Sequence, residues 1–529
     1  MNTSLKKILS LLLAAVLLLG IMAGCAAEAS NPELDQFATV DEKKKGSGKP
    51  GKEETKPAEE PKEESGSAGV QPGGASDVFE VEAGQQIKYV MIYNPRVYVD
   101  ESNTGIRNTG DISAQVDVSM SRADGLTEAD KEPFDQFKPD EEFMKGIDLS
   151  GGRAEGLGKT YRVGDRENFY CATENDVNQR TEKTFTCVYA GSHANIWVYE
   201  TVAQNAADKL GQTFDREIYD SCVDLFGEPR FGEVVNVLLY SFRGNPNTVG
   251  FFHPYDLFSA TECSAAEVKR YGVNTDINVI NINAMWLSQS EETVISTLAH
   301  EFQHLLCFTG YFSAGNQCDV WFNEAMSGYI EEVLYKGSKE SDFACYHSSG
   351  LIRGGQSLYN FKTEVTATTL DIGVYGSVFL FSEYLKNLAG DDVFSNFHAN
   401  WRKTYKEMDT FTGIYRVMPK AVLKQVDALV EYPSSYRFSS EEQEWISKLT
   451  LSFYLSTFTK DSLAAENYKD IQMPYLVYDS IMSADIEGGG RVILAVKDGA
   501  FQIPEDADQG LVYVGLNENM EIVTNIVCK

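Results

Sequence analysis

His300 and His304 lie four residues apart in His300-Glu301-Phe302-Gln303-His304, an H-E-x-x-H box that occurs once and holds two of the chain's six histidines. On a helix, residues i and i+4 share a face, so both imidazoles can bind one ion. Glu301 lies beside the first histidine, close enough to take a proton from a water that the ion activates. Glu324 follows twenty positions after His304, inside Asn323-Glu324-Ala325. It is the candidate third ligand, and three protein ligands leave the ion's fourth position open for water and then substrate. The chemistry this predicts is hydrolysis of a peptide bond with Zn2+ as cofactor.

Those side chains need two helices and a turn between them. Ser288 with Glu291 three residues on is a capping-box pattern, and Ile295, Leu298, Ala299, Phe302, Leu305 and Leu306 recur at helical spacing. Tyr311 to Gln317 is a turn-rich break, and Trp321 to about Leu334 resumes helical spacing and carries Glu324. Upstream, Ala207, Leu210, Phe214, Ile218, Cys222 and Leu225 form one helical stripe, stopped by Gly227 and Pro229. Val234 to Tyr240 and Ile277 to Asn283 are strand candidates. Val374 to Leu388 reads as a further buried helix.

The chain has 529 residues, too many for one ordinary domain. The expected class is multidomain: an α+β catalytic domain, an N-terminal β-rich, sandwich-like domain and a mixed C-terminal portion. Residues 1–24 read as a lipoprotein signal peptide: Lys6 and Lys7, an apolar run from Ile8 to Ile21, then Met22-Ala23-Gly24-Cys25, which resembles a bacterial lipobox. That resemblance implies cleavage before Cys25 and a lipid on its sulfur, hence a membrane anchor and an extracytoplasmic location. Residues 25–77 are low-complexity and nearly free of large apolar side chains, so they read as a tether spanning on the order of 40 Å. Residues 78–202 alternate like strands, including Ile87 to Tyr93 and Ile112 to Met120, and form the expected β-rich domain. The catalytic domain is placed at 203–438. Residues 439–529 begin helical, near Ser439 to Leu455, and end in strand-like runs at Val492 to Val496 and Gly510 to Gly515. A formal net charge of -32 argues against nucleic acid as a partner. Cys171 and Cys187 flank a hairpin-like segment and could pair in an exported chain, or not.

The motif region resembles gluzincins. Thermolysin-like enzymes carry a similar Asn-Glu-Ala stretch on the helix after the box, and the resemblance implies that Asn323 supports a zinc-bound histidine. They also carry an aspartate four residues after the ligand glutamate, where this chain has Gly328, so the partner of His300 stays open. A metzincin's third histidine is absent. A wider resemblance, over about 208–390, is to the hyicolysin family of zinc metallopeptidases. It rests on Gly250-Phe251-Phe252-His253-Pro254-Tyr255-Asp256-Leu257-Phe258, on Thr297 to His304, and on Trp321-Phe322-Asn323-Glu324 with Tyr375-Gly376 and Phe379-Leu380-Phe381. It implies a secreted or surface endopeptidase with one zinc ion.

Gluzincins often place a tyrosine beyond the third ligand, so Tyr375 is the candidate donor to the oxyanion of the scissile carbonyl, against a plain packing role. Ile277 to Met285 is either an edge strand that holds substrate backbone or a buried central strand. Glu331 and Glu332 read as surface charges, His347 as a distant histidine outside the site, and Trp286, Trp321 and Tyr329 as core or pocket wall. The expected partners are protein or peptide substrates; the oligomeric state stays open. Two rivals remain: a gluzincin-type aminopeptidase, disfavoured because no Gly-x-Met-Glu-Asn segment occurs, and a surface binding protein on a zinc-fold scaffold.

Overall fold

Strands buried at every residue must be covered on both sides, and two of them lie at the centre of this fold. The computed structural model describes residues 79–95, 114–117, 141–148, 156, 158–173, 179–200, 202–246, 248–310, 312, 318–339, 357–359, 361, 370–403, 410–432, 438, 440–458, 483–486, 488–496, 501, 503 and 510–528. The expected leader at 1–24, Cys25, the expected tether at 25–77 and His347 lie outside them.

The strands in chain order are β1 (Tyr89–Tyr93), β2 (Ala114–Asp117), β3 (Arg166–Ala172), β4 (Arg180–Ala190), β5 (Ala194–Val198) and β6 (Val235–Tyr240). They continue with β7 (Gly250–Phe251), β8 (Asn278–Asn283), β9 (Ser483–Ile486), β10 (Arg491–Ala495), β11 (Val512–Leu516) and β12 (Ile522–Cys528). A six-stranded sheet has the order β3-β4-β5-β6-β8-β7. Its middle is parallel, from β5 through β6 to β8, and its two ends are antiparallel.

Alternation along β6 explains the double burial. Val235, Val237 and Leu239 join the main core on the helix side, while Leu238 and Tyr240 join a second cluster with Phe169, Phe185 and Trp197. On β8, Ile280 and Ile282 face the main core and Val279 the other side. The asparagines of β8 close the strand ends: Asn278 Nδ2 donates to Gly232 O at 2.9 Å, and Asn283 Nδ2 to Thr248 O at 2.8 Å. β8 is therefore the central strand of the two readings, and the edge beyond it is β7.

The strands of the three expected regions share sheets. β1 is flanked by β10 and β11 in a four-stranded antiparallel sheet, β10-β1-β11-β12. β2 pairs with β9, and β3 to β5 continue the sheet that carries the site. Boundaries at 202 and 438 thus cut through hydrogen-bonded sheets. Alternation marks which residues are strands but not which strands pair, so the region 78–202 read as a unit when its strands are shared among three sheets. Cys171 and Cys187 are both free. Cys171 lies opposite Thr181 and Cys187 opposite Trp197, so the ladder register keeps them apart.

Six helices matter for the site and its frame: α1 (Gln204–Thr213), α2 (Tyr219–Phe226), α3 (Glu291–Thr309), α4 (Val320–Leu334), α5 (Leu370–Ala389) and α6 (Glu441–Ser456). Among the described residues no helix is long and apolar enough to cross a membrane. α1 runs into α2 through a π-helical segment, Phe214–Ile218. The apolar stripe at 210, 214, 218 and 222 advances four residues per turn, slower than the α-helical 3.6, and a wider π turn takes up the surplus. All four side chains are buried as a result.

The segment 250–258 is held from behind. Arg180 on β4 forms a two-pronged ion pair with Asp256, at 2.7 and 2.8 Å, and both side chains are almost wholly buried. Asp256 also accepts from Asn274 N at 2.8 Å, and Arg180 donates to Tyr170 O at 2.8 Å. A buried pair whose polar atoms find further partners in this way locks the loop after β7 to the sheet.

Candidate metal centre

α3 begins two residues later than the capping pattern suggests. Residues Ala284–Ser288 form a 3-10 turn, with Asn283 accepting from Met285 N. Ser290 then caps the helix, its side chain accepting from Thr293 N at 3.3 Å. Glu291 and Glu292 occupy the first turn, where acidic groups favour the positive end of the helix dipole. From Val294 on, α3 is covered on nearly all sides. Phe302 packs on Phe214 and Tyr219, at ring separations of 4.9 and 5.6 Å.

His300 and His304 present their rings edge to face, 4.5 Å apart. Glu324, from the buried side of α4, aims Oε2 between them, 3.3 Å from His300 Nε2 and 3.7 Å from His304 Nε2. The three ligand atoms lie within 4.8 Å of one another, and this is the one such cluster among the described residues. Donors held at 2.0–2.2 Å around a tetrahedral ion stand roughly 3.3–3.6 Å apart, so the two histidine–glutamate spacings fit. Two imidazoles and one carboxylate also suit Zn2+, and the cofactor of this centre is Zn2+.

Glu301 follows His300 on the same helix turn. It is buried, and its Oε2 accepts from Phe252 N at 2.7 Å, at the end of the edge strand β7. Burial pushes its carboxyl up to about 7, with His300 pulling down and Glu324 pushing up.

Sequence reasoning missed the partner of His300. Glu331, read as a surface charge, is buried, and its Oε1 lies 2.7 Å from His300 Nδ1. Lys339 Nζ lies 2.6 Å from the same oxygen. Burial would raise the Glu331 carboxyl, but Lys339 and His300 outweigh it and hold it at about 2. Positions four and seven after a residue fall on the same helix face. A glutamate one turn further along, with a longer side chain, thus replaces the aspartate missing at Gly328. A Cβ at Gly328 would meet Phe379 Cβ at 3.4 Å and Lys339 Cε at 3.6 Å, ordinary contact distances. Glu332 is buried too, and accepts from Gly337 N at 3.0 Å. The signal available in the sequence was the seven-residue step from Glu324.

Around this ring, Asn323 Oδ1 accepts from Gln303 Nε2 at 3.1 Å, and Ser327 Oγ donates to Glu324 O at 2.9 Å. Burial holds the His304 imidazole down at about 3, with Glu324 and a hydrogen bond to Asn323 opposing. His304 is therefore neutral and ready to ligate. His300 differs: burial pulls it down, but Glu324 and Glu331 prevail and raise it to about 10. Without metal its proton stands where the ion belongs. Zinc binding near pH 8 is expected to release about one proton from His300, and affinity to rise with pH up to about 10. Titration calorimetry in buffers of different ionisation enthalpy measures that proton; a buffer-independent heat would refute the competition.

Tyr375 is on α5, half-buried, with its ring edge-on to Phe361 at 5.1 Å. Trp321 and Tyr329 are core residues, Trp321 packing on Tyr359, Phe381 and Phe411. Trp286 is half-buried and donates to Pro246 O at 2.8 Å.

No family model matches the chain. Among curated proteins it is similar to the neutral metalloprotease ShpI of Staphylococcus hyicus, 28% identical over 295 residues. The match covers 51% of this chain and 62% of that protein, so the chain spans less than two thirds of its relative's length. Among solved structures, a mutant two-domain M1 zinc metallopeptidase bound to L-arginine aligns with a TM-score of 0.27 and 14% identity, over 54% of this chain and 51% of that one. Yeast LTA4 hydrolase aligns with a TM-score of 0.30 and 11% identity, over 56% and 48%.

Proposed function

We propose that this chain is a zinc-dependent endopeptidase that cleaves proteins or peptides outside the cytoplasm, anchored by a lipid on Cys25. The carrying observation is the ring of His300, His304 and Glu324 with Glu301 fixed beside it. Bound zinc supplies a Lewis acid that polarises a carbonyl and lowers the pKa of water.

The chain's own residues supply the rest. Glu301 takes the proton of the attacking water and later gives it to the leaving amine. The Phe252 N–H fixes one oxygen of that carboxylate, so the base does not have to be oriented during reaction. Glu331 holds the His300 ring through Nδ1. Tyr375 is the proposed donor to the oxyanion. β7 is the sheet edge next to Glu301, and an extended substrate can add to it as a further strand.

That edge favours internal cleavage over removal of terminal residues. Its residues Gly250-Phe251-Phe252-His253 carry no carboxylate to hold a substrate's terminal amine. The test is a panel of peptides, each with a free and an acetylated N-terminus, digested by metal-loaded protein. Cleavage at internal bonds of both forms, abolished by a chelator and restored by zinc, is expected. Cleavage of free N-termini alone would make the chain an aminopeptidase. Zinc bound at one equivalent with no cleavage of any peptide would favour the binding scaffold.

A further inference from the structure

We infer that Cys307 and Cys318 form a disulfide that clips the two ligand-bearing helices together beside the metal centre. Their sulfurs are 3.4 Å apart and buried. A disulfide bond is about 2.05 Å long, and sulfurs 3.4 Å apart are in contact, so the two side chains already point at each other. Cys307 lies in the last turn of α3, one turn past His304. Cys318 precedes α4 and its ligand Glu324, and the next residue, Asp319, is pinned through its N–H to Thr410 Oγ1 at 2.8 Å.

Other fates of the pair fit less well. A thiolate metal site needs three or four donors, and among the described residues no cysteine belongs to a ligand cluster. The remaining described cysteines stand alone: Cys171 donates to Thr181 O and Cys187 to Tyr189 O, while Cys222, Cys263 and Cys528 are buried singly. Cys307 and Cys318 each keep 8% of their surface open, enough for approach by a small disulfide at the helix end.

The oxidation is a thiol–disulfide exchange with an external small-molecule disulfide. One cysteine thiolate attacks that disulfide and expels one thiolate, leaving a mixed disulfide. The second cysteine attacks the mixed disulfide and expels the other. Two electrons and the two thiol protons end on the reagent, which leaves as two thiols. The bond fixes the distance between the box helix and the helix of Glu324, so the three ligands stay assembled when zinc departs.

Metal-loaded protein equilibrated with oxidised glutathione, then denatured, blocked with N-ethylmaleimide and mapped by mass spectrometry, tests the bond. A Cys307–Cys318 cross-linked peptide with Cys171 and Cys187 alkylated is expected. Zinc loss to a chelator is expected to be at least tenfold slower in the oxidised than in the reduced protein. That difference should vanish in the Cys307→Ser/Cys318→Ser double variant and persist in Cys171→Ser. Full alkylation of both cysteines, or a cross-link that leaves zinc release unchanged, would overturn the inference. The effect on zinc rests on the metal-site reading, but cross-linking and zinc release are measured without any peptide cleavage, so a failure of the peptidase proposal leaves them untouched.

Discussion

Replacing Glu301 by glutamine is expected to lower kcat on an internally cleaved peptide about 10³-fold, the middle of the span for general acid–base catalysis, with zinc still bound at one equivalent. The two side chains have nearly the same shape. The glutamine carbonyl can accept from Phe252 N as the carboxylate does at 2.7 Å, so the frame survives. What disappears is an oxygen that can take a proton. Loss of zinc in the variant would instead assign Glu301 to structure, and an unchanged rate would remove it from the mechanism. The wild type should also lose activity in acid. Burial raises the Glu301 carboxyl to about 7 in the metal-free geometry, and a doubly positive ion nearby lowers it. The acid limb of the rate profile therefore belongs below pH 7, and it should be missing from the residual rate of the variant.

Replacing Glu331 by alanine is expected to weaken zinc binding by about ten- to a hundredfold, the usual cost of removing a group that orients a metal-bound histidine. It should also destabilise the fold by about 3–5 kcal/mol, because breaking a buried ion pair strands its partner. The stranded partner is Lys339, whose side chain is 9% exposed. The stability loss depends on pH in a fixed direction. The Glu331 carboxyl is held at about 2, below its ordinary 4.5. Its contribution is thus complete above pH 4.5 and fades as pH falls towards 2. Thermal melts of wild type and variant should differ most above pH 4.5 and converge in acid. Adding Gly328→Asp to the alanine variant offers a rescue, since a Cβ there meets its neighbours at 3.4 Å or more and Lys339 stands close by. Recovery of zinc affinity would confirm that the requirement is a carboxylate on that face.

These two residues show how far a sequence carries. Glu301 could be singled out from the sequence because its setting is local: a histidine four residues from another defines the face, and the glutamate is adjacent. Glu324 could be singled out through its asparagine–glutamate–alanine setting, and the structure brings it to the two histidines. Glu331 could not, because two consecutive acids on a helix look like a solvated face unless their partners are known. Those partners are Lys339, eight residues on, and His300, on another helix. The sheets divide the same way. β6, β8 and the helices α3 to α6 follow from runs and periodicity. The partnering of β1 with β10 and β11 does not, because hydrogen bonding between strands leaves no mark on either strand's own pattern.

That partnering also orders events in time. β1 is an inner strand, and both neighbours come from the last part of the chain. Tyr89 faces Ala495 on one side and Leu516 on the other. While the chain is being made, or passed through a membrane from its N-terminus, β1 has neither partner. Closing so long a loop is slow compared with forming local contacts. The sheet that holds the zinc site has all its strands long before then. The two sheets should therefore appear at different moments, the site's frame first and the β1 sheet only once the final strands emerge.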